Sequence, residues 1–475
     1  MTTAITGLTS RKVALETLIK VDKQKAYSNL ALNAAFKRSQ MSERDRAFVT
    51  ALVQGVMRNK LHLDEVIQSL SRHPLKKLSP SVLNILRLSI FQIEEMSDIP
   101  QSAVVNVAVE LAKSGGNKGH APFVNGVLRS YLRHKEKQSE HPEIVEADID
   151  SSEEKLSTDY SVPQWIVRRW IANFGKEEAI ALLKFAKSTP PVIVRTCDTA
   201  ITPEGLETVF ENSGIKFHRG QLVDSCFIID KMKGPPEKQP GYSEGLFSVQ
   251  DEAAAFAAIV VEPQKGDFII DLCAAPGGKA LQLSEMLDNT GRVIAVDISE
   301  PRLNLIKKNR TRLGLKNLET AVADGRQYRT DRLADKVLLD APCTGTGVIN
   351  RRADLRYQRE ELDIEALVEL QRELLANAST LVKPGGTLTY STCSLEPEEN
   401  FDNIRWFLRE FEDFEADDFS HLIPAQIREQ CSVTSGPMCK TEAEMNRLCQ
   451  IQLLPTQHGV SGFFIARMRR KGNQG

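Results

Sequence analysis

Apolar residues recur at three- and four-residue spacing over 13–21, 44–57, 81–93 and 102–113, the periodicity of helices that bury one face. Pro74, Pro80, Pro100 and Pro122 punctuate these segments, where helices are expected to break. Residues 6–136 are therefore expected to form an all-α domain. From 137 to 157 the pattern stops. Seven of those residues are Asp or Glu and few could pack, which reads as an acidic linker or surface loop. Residues 158–246 mix helical periodicity at 163–175, 177–187 and 203–214 with a strand at 192–197 and further short strands. This is a small α+β region that leaves through a turn-rich stretch at 234–245.

Beyond 247 short apolar strands alternate with helices. FIIDL, VIAVDI, ETAVAD, KVLLDAP and TLTYSTC are separated by helical patterns near 279–287, 302–314, 367–382 and 400–411. Such alternation predicts a mostly parallel, doubly wound α/β sheet over 247–470. Two final apolar runs, CQIQLLP and GFFIARMRR, suit an antiparallel hairpin closing the sheet edge. Ligands of these sheets sit at the carboxyl ends of the strands, so the loops after the strands are where chemistry is sought.

A chain of 475 residues is expected to hold two or three domains. No apolar run is long enough for a membrane span, and MTTAITGLTSRK at the start lacks the apolar centre of a secretory signal; a cytosolic protein is expected. The eight cysteines are scattered without paired metal spacing. Cys431 and Cys439 make a poor zinc pattern, so no metal is expected. The net charge of −2 conceals an asymmetry. Residues 1–137 carry 21 Lys and Arg against 11 Asp and Glu, either a polyanion-facing surface or an ordinary solvated helical one.

The first strand of the α/β region opens into D-L-C-A-A-P-G-G-K, residues 271–279. Gly277 and Gly278 remove side chains where backbone must approach a ligand, and free amides at the helix start bind a carboxylate. Asp297 ends the next strand, 19 residues beyond Gly278, roughly where an acid takes ribose hydroxyls in nucleotide-binding domains. Asp324 ends the third strand, where it can meet the adenine side. The loop is neither GxGxxG nor a P-loop, so an adenosyl cofactor without a pyrophosphate suits it better than NAD or ATP. A glycine turn with solvent-facing acids is the bland alternative. The fourth and fifth strands end in D-A-P-C-T-G-T-G and Y-S-T-C-S. Cys343 and Cys393 thus fall in adjacent loops, whereas Cys197, Cys226 and Cys449 read as buried structural thiols.

Together D-L-C-A-A-P-G-G-K, D-A-P-C-T-G-T-G and Y-S-T-C-S-L-E-P-E-E-N resemble the RNA cytosine-5 methyltransferase family over about 247–469. The resemblance implies a class I (Rossmann-like) methyltransferase domain using S-adenosyl-L-methionine, held by Cys273, Ala274, Ala275, Pro276, Gly277, Gly278, Lys279, Asp297, Asp324 and Asp340. It implies Cys393 as the nucleophile that adds to carbon 6 of cytosine and makes carbon 5 nucleophilic. Asp340 would contact N3 of the base, and Cys343 would assist proton removal and product release. Lys279 would favour the thiolate or contact the base. DNA cytosine-5 enzymes attack with the Pro-Cys thiol and lack the Thr-Cys partner; this chain has both. Two departures from the family pattern are Ala280, where Thr or Ser is usual, and Arg352–Ala353–Asp354, where Arg-x-Pro-Asp is frequent.

R11-K-V-A-L15, R44-D-R-A-F48, 85–93 and F123-V-N-G-V-L-R129 resemble the RNA-binding NusB-like domain over 6–136. That fusion is similar to the bacterial 16S rRNA cytosine-5 methyltransferases, which implies 16S rRNA as partner, cytosine 967 as target and 158–246 as an added substrate-binding element. Arg351, Arg352 and Arg356 are candidates for flanking phosphates, or an ordinary solvated polar face. A monomer without membrane or metal is the expected form. Two other readings stay open: a tRNA or DNA methyltransferase, and a non-enzymatic NusB-like RNA-binding protein.

Overall fold

The computed structural model describes residues 7–24, 26–140, 151–232, 234–428 and 449–472. The chain divides into two compact units, residues 1–189 with 349–360, and residues 190–348 with 361–475. Cys431 and Cys439 lie outside the described residues, as does the middle of the acidic segment. Among the described residues no helix is long and apolar enough to cross a membrane.

The first unit is helical, as the periodicity predicts. Its centre is the helix Pro80–Glu95, capped by the Ser79 hydroxyl accepting from the Val82 amide. Ile85, Leu86 and Ile90 on this helix are at most 1% exposed. The helix Glu43–Arg58 crosses close by: a Cβ on Gly55 would lie 1.9 Å from the Phe91 ring. Arg87 threads the core polar-side by clasping Asp64 with two hydrogen bonds of 2.7 Å and Asp22 with one of 2.9 Å. Pro74 and Pro100 lie between helices as expected, whereas Pro80 and Pro122 lie just inside the helices they begin. Pro80 occupies the first turn of its helix, Pro100 caps Gln101–Ser114 and Pro122 lies within His120–Glu140 near its start, positions where the missing N–H costs nothing.

Two details concern the boundaries read from the sequence. The acidic segment is helical at both ends, in His120–Glu140 and Glu153–Tyr160. The helices Gln164–Phe174 and Lys176–Lys187, read above as part of the middle region, belong to the first unit. Residues 349–360, far away in sequence, complete this unit. Ala353 is fully buried in its apolar core, and the Asp354 carboxylate accepts from the Ser28 amide at the start of the helix Ser28–Arg38 (2.8 Å).

The second unit holds two sheets. Strands β1 (Val192–Thr196), β2 (Lys216–Arg219), β3 (Cys226–Lys231) and β4 (Phe247–Val249) form an antiparallel sheet in the order β2-β3-β1-β4, with the helix Pro203–Asn212 packing Leu206 and Phe210 against it. The larger sheet comprises β5 (Phe268–Leu272), β6 (Arg292–Asp297), β7 (Leu318–Val322), β8 (Ala334–Asp340), β9 (Val382–Thr392), β10 (Phe414–Ala416), β11 (Gln450–Leu453) and β12 (Phe463–Arg470). Its order is β10-β12-β9-β8-β5-β6-β7, with β11 also on β12. The five strands β5 to β9 run parallel; β12 runs antiparallel beside β9. The predicted terminal hairpin is β11–β12, but β12 is not the edge, because the short β10 pairs with its second half.

Both faces of the large sheet are covered, which is why β5, β6 and β8 read as nearly continuous apolar runs. Ile270, Val296 and Leu339 face the helices Asp363–Leu381 and Phe401–Glu410. Ile269, Ala295 and Leu338 face Gly278–Met286 and Glu300–Arg312. A buried ion pair, Arg195 on β1 with Glu285 at 2.9 Å, fastens the small sheet to the helix that follows the glycine loop.

Candidate active site

Every acid and cysteine singled out in the α/β region lies at the carboxyl end of a parallel strand, in the second unit. After β5 the chain turns at Cys273 (φ 60) and Gly277 (φ 105) before the helix Gly278–Met286 begins. A Cβ at Gly277 would lie 2.5 Å from Ile306, so helix packing requires glycine there. A Cβ at Gly278 would meet the Gln250 side chain at 3.7 Å, an ordinary van der Waals contact. Ala274 donates its amide to Val296 (2.9 Å) and Ala275 donates its own to Asp297 (3.1 Å); Pro276 is exposed. Asp297 also accepts from the Ser299 amide (2.8 Å), and Arg302 approaches it at 3.6 Å. Asp297 thus braces two loops at once. Asp324 is clasped by Arg326, whose third nitrogen reaches Glu373. Ile298 and Val322, beside these acids, are 71% and 57% exposed, an apolar surface that the sequence reading did not single out.

At the β8 and β9 ends, the ladder terminates in the pair Asp340–Ser391. Asp340 is held from two sides: Lys279 forms an ion pair with it at 2.8 Å, and the Ser391 hydroxyl donates to its other oxygen at 2.8 Å. The Lys279 ammonium also lies 4.9 Å over the Phe463 ring. Three residues beyond Asp340 and two beyond Ser391, the sulfur atoms of Cys343 and Cys393 are 3.4 Å apart, both half-buried. The hydrogen bond shared with Cys393, together with burial, holds the Cys343 thiol well above the ordinary range.

Other groups near the strand ends are inert by comparison. Burial pushes the Cys273 thiol up to about 12, with Asp297 adding to the effect. Cys197 and Cys226 are buried, the former also pushed up to about 12 by burial; Cys449 is only half-buried, unlike the structural thiol expected. Asp271, on β5, is fully buried with both carboxylate oxygens lacking a hydrogen-bond partner. Beneath the glycine loop, burial and the neighbouring Asp340 raise its pKa well above the usual carboxylate range. Ala280, the first departure from the family pattern, is fully buried against the sheet.

The three arginines read as phosphate contacts fall in the first unit with residues 349–360. Arg352 is exposed and Arg351 half-buried. Arg356 is a correction: it is 1% exposed, and its guanidinium donates to the carbonyls of Ser161 (3.0 Å), Ala186 (2.8 Å) and Ile349 (2.9 Å). It has no face to offer an RNA. Among the described residues, no cluster of three His, Cys, Asp or Glu side chains could hold a metal ion.

The sequence model of the family described as 16S rRNA methyltransferase RsmB/F matches residues 258–469, that of the NusB family 8–133, and that of the RsmF/B-like ferredoxin-like domain 162–234. A probable ribosomal RNA small subunit methyltransferase B of Bacillus subtilis (strain 168) is 34% identical over 97% of this chain and 99% of its own length. The chain belongs to the RsmB/F methyltransferase family. A relative of the same description from Synechocystis sp. is 32% identical over 98% of the chain and 100% of its own length. A crystallised methyltransferase homolog from Pyrococcus horikoshii superposes with a TM-score of 0.57 at 30% identity, covering 66% of this chain and 97% of that one. The molecule is thus an S-adenosylmethionine-dependent rRNA methyltransferase of the RsmB/F type, with a NusB-like helical domain, a ferredoxin-like middle domain and a C-terminal methyltransferase domain.

Proposed function

We propose that this enzyme methylates carbon 5 of cytosine 967 in 16S rRNA, with Cys393 as the nucleophile. The observation that carries the reading is the thiol pair 3.4 Å apart beside the Lys279–Asp340–Ser391 cluster. Cys393 attacks carbon 6 of the base, forming a carbon–sulfur bond and turning carbon 5 into a nucleophile. Asp340 faces N3 of the base, and Lys279 fixes that carboxylate while offsetting charge as it develops. Cys343 assists loss of the carbon-5 proton and release of the product. Its raised pKa suits release best: a neutral thiol donates a hydrogen bond to the sulfur leaving carbon 6.

Bound S-adenosylmethionine supplies the electrophilic methyl group. Cys273, Ala274, Ala275, Pro276, Gly277, Gly278 and Lys279 would line its methionine end, where two glycines in succession keep side chains off the start of the helix. Asp297 and Asp324 would take the ribose and adenine, with Ile298 and Val322 offering apolar contact to the base. Exposed apolar side chains beside acids fit an adenosine better than a polyphosphate. Phosphate contacts would come from the basic first unit, with Arg351 and Arg352 as contributors. A splayed, single-stranded cytosine is the form that reaches the thiols. A monomer working on small-subunit rRNA in the cytoplasm follows from this reading.

The test supplies labelled cofactor with undermethylated small-subunit rRNA, tRNA and duplex DNA. Transfer to the rRNA alone is expected; transfer to tRNA or DNA, or none, sinks the assignment. Cys393→Ala should abolish transfer, whereas Cys343→Ala should accumulate a covalent protein–RNA adduct visible as a slow band under denaturing conditions. Reversed behaviour of the two variants would exchange the roles.

A further inference from the structure

The parallel ladder between β8 and β9 ends at Asp340–Ser391, with one last bond from the Ala341 amide to the Ser391 carbonyl. Cys343 and Cys393 lie past that point, where sheet pairing no longer dictates their separation. Something else must bring their sulfur atoms within 3.4 Å. We propose that Glu399 is the positioning residue that fixes the thiol pair, by tying together the residues that follow each cysteine.

Glu399 is fully buried at the end of the short turn Pro397–Glu399. One carboxylate oxygen accepts from the Thr344 amide and from Gln371, both at 2.9 Å. The other accepts from the hydroxyls of Thr344 and Ser394, both at 2.5 Å. Thr344 follows Cys343 and Ser394 follows Cys393, so one carboxylate clamps both loops. Four donors fill the acceptor sites of an acceptor-only side chain. Hydrogen bonds to a charged acceptor are the strong ones.

Surrounding bonds extend the clamp to the other side of each cysteine. Gln371 also donates to the Pro342 carbonyl (2.9 Å), the residue before Cys343. Asn400 accepts from the Thr392 hydroxyl (2.6 Å), the residue before Cys393, and donates to the Ser394 carbonyl (2.9 Å). The Gly347 amide donates to the Cys393 carbonyl (3.0 Å), a second cross-link between the loops. Glu399 is where these strands of bonding converge, yet it touches neither sulfur.

The inference rests on the roles given above to the two thiols, and the experiment separates the two ideas. A trivalent arsenical, phenylarsine oxide, condenses with two thiols: two arsenic–sulfur bonds form, and both thiol protons leave with the oxide oxygen as one water. It bridges only sulfur atoms within reach of one arsenic, and peptide mass mapping locates the bridge. Bridging is measured without RNA, beside monoalkylation of each thiol by iodoacetamide and single-turnover methyl transfer. Glu399→Ala is expected to bridge Cys343 to Cys393 about tenfold more slowly, with alkylation of neither thiol slowed. Its methyl transfer should fall on the order of a hundredfold, the effect of about 1 Å of misplacement, while the cofactor KM holds. Glu399→Gln keeps the shape and two acceptor sites and should restore most of the bridging.

Should Glu399→Ala not fold, Thr344→Val decides. It removes one clamp donor at constant volume and should slow transfer about tenfold, the worth of one hydrogen bond to a charged group. Wild-type bridging and transfer in Glu399→Ala, or in Thr344→Val where that variant decides, would overturn the proposal. Wild-type protein that bridges normally but methylates no rRNA would sink the functional reading and leave the clamp standing.

Discussion

Arg356→Ala is a perturbation whose size can be worked from the structure. The side chain is 1% exposed, and its guanidinium satisfies the carbonyls of Ser161, Ala186 and Ile349 at 2.8–3.0 Å. Ser161 keeps a second donor after truncation, the Tyr357 hydroxyl at 2.8 Å. The other two carbonyls lose a charged donor inside the first unit, at about 1–1.5 kcal/mol each. Two buried methylenes add about 1.6 kcal/mol, and relief from desolvating the guanidinium returns part of this. The expected net loss is about 3 kcal/mol. With a urea slope of about 2 kcal/mol per M, the unfolding midpoint should drop by about 1.5 M. Trp165 and Trp170 belong to the first unit and Trp406 to the second, so fluorescence in a Trp406→Phe background reads the first unit alone. A midpoint shift below about 0.3 M together with weakened RNA binding would refute the reasoning and return Arg356 to the role of phosphate contact.

Two further outcomes follow from buried charge. Asp271 has a folded pKa raised by burial and by Asp340. Its contribution to stability is therefore complete below the unfolded value of about 3.9 and is lost as pH rises above it, by at most about 1.4 kcal/mol per pH unit. Asp271→Asn removes that loss, so the variant's melting temperature minus that of the wild type should widen from pH 5 to pH 7 in cofactor-free protein; a constant gap contradicts it. Arg195→Met strands Glu285, buried with it at 2.9 Å, and should cost about 3–5 kcal/mol, whereas Arg195→Met with Glu285→Leu should recover most of it. Equal losses in the single and double variants, measured by urea unfolding, would show that the pair carries no coupling.

The parts of the fold legible in the sequence were those written locally. FIIDL, VIAVD and KVLLD are apolar because both sheet faces are covered, and the last two end on an acid because they end at the ligand edge. Cys343 and Cys393 were legible through the motifs around them. What stayed hidden depends on partners distant in sequence. Arg356 looks like any surface arginine until the carbonyls of Ser161 and Ala186 surround it. Glu399 sits in an acidic run, E-P-E-E, that reads as solvated; its donors come from positions 344, 371 and 394. Three-residue β10 carries no periodicity to detect, so β12 was read as nearer the edge than it is. Pro122 was read as a break because a proline signals a helix boundary without saying on which side the helix lies.

Residues 349–360 leave the second unit six residues after Cys343, join the core of the first, and return. The helical unit is therefore discontinuous in the gene although its first 189 residues are consecutive. On the ribosome, Ser28 waits more than three hundred residues for the carboxylate of Asp354, which at roughly 5–20 residues per second is some tens of seconds of synthesis. Through that interval the seat for Ala353 and Arg356 stands unfilled. The last piece of the N-terminal unit thus belongs to chain that is made only after the loop bearing Cys343, so the unit begun first cannot be completed until most of the second has been synthesised.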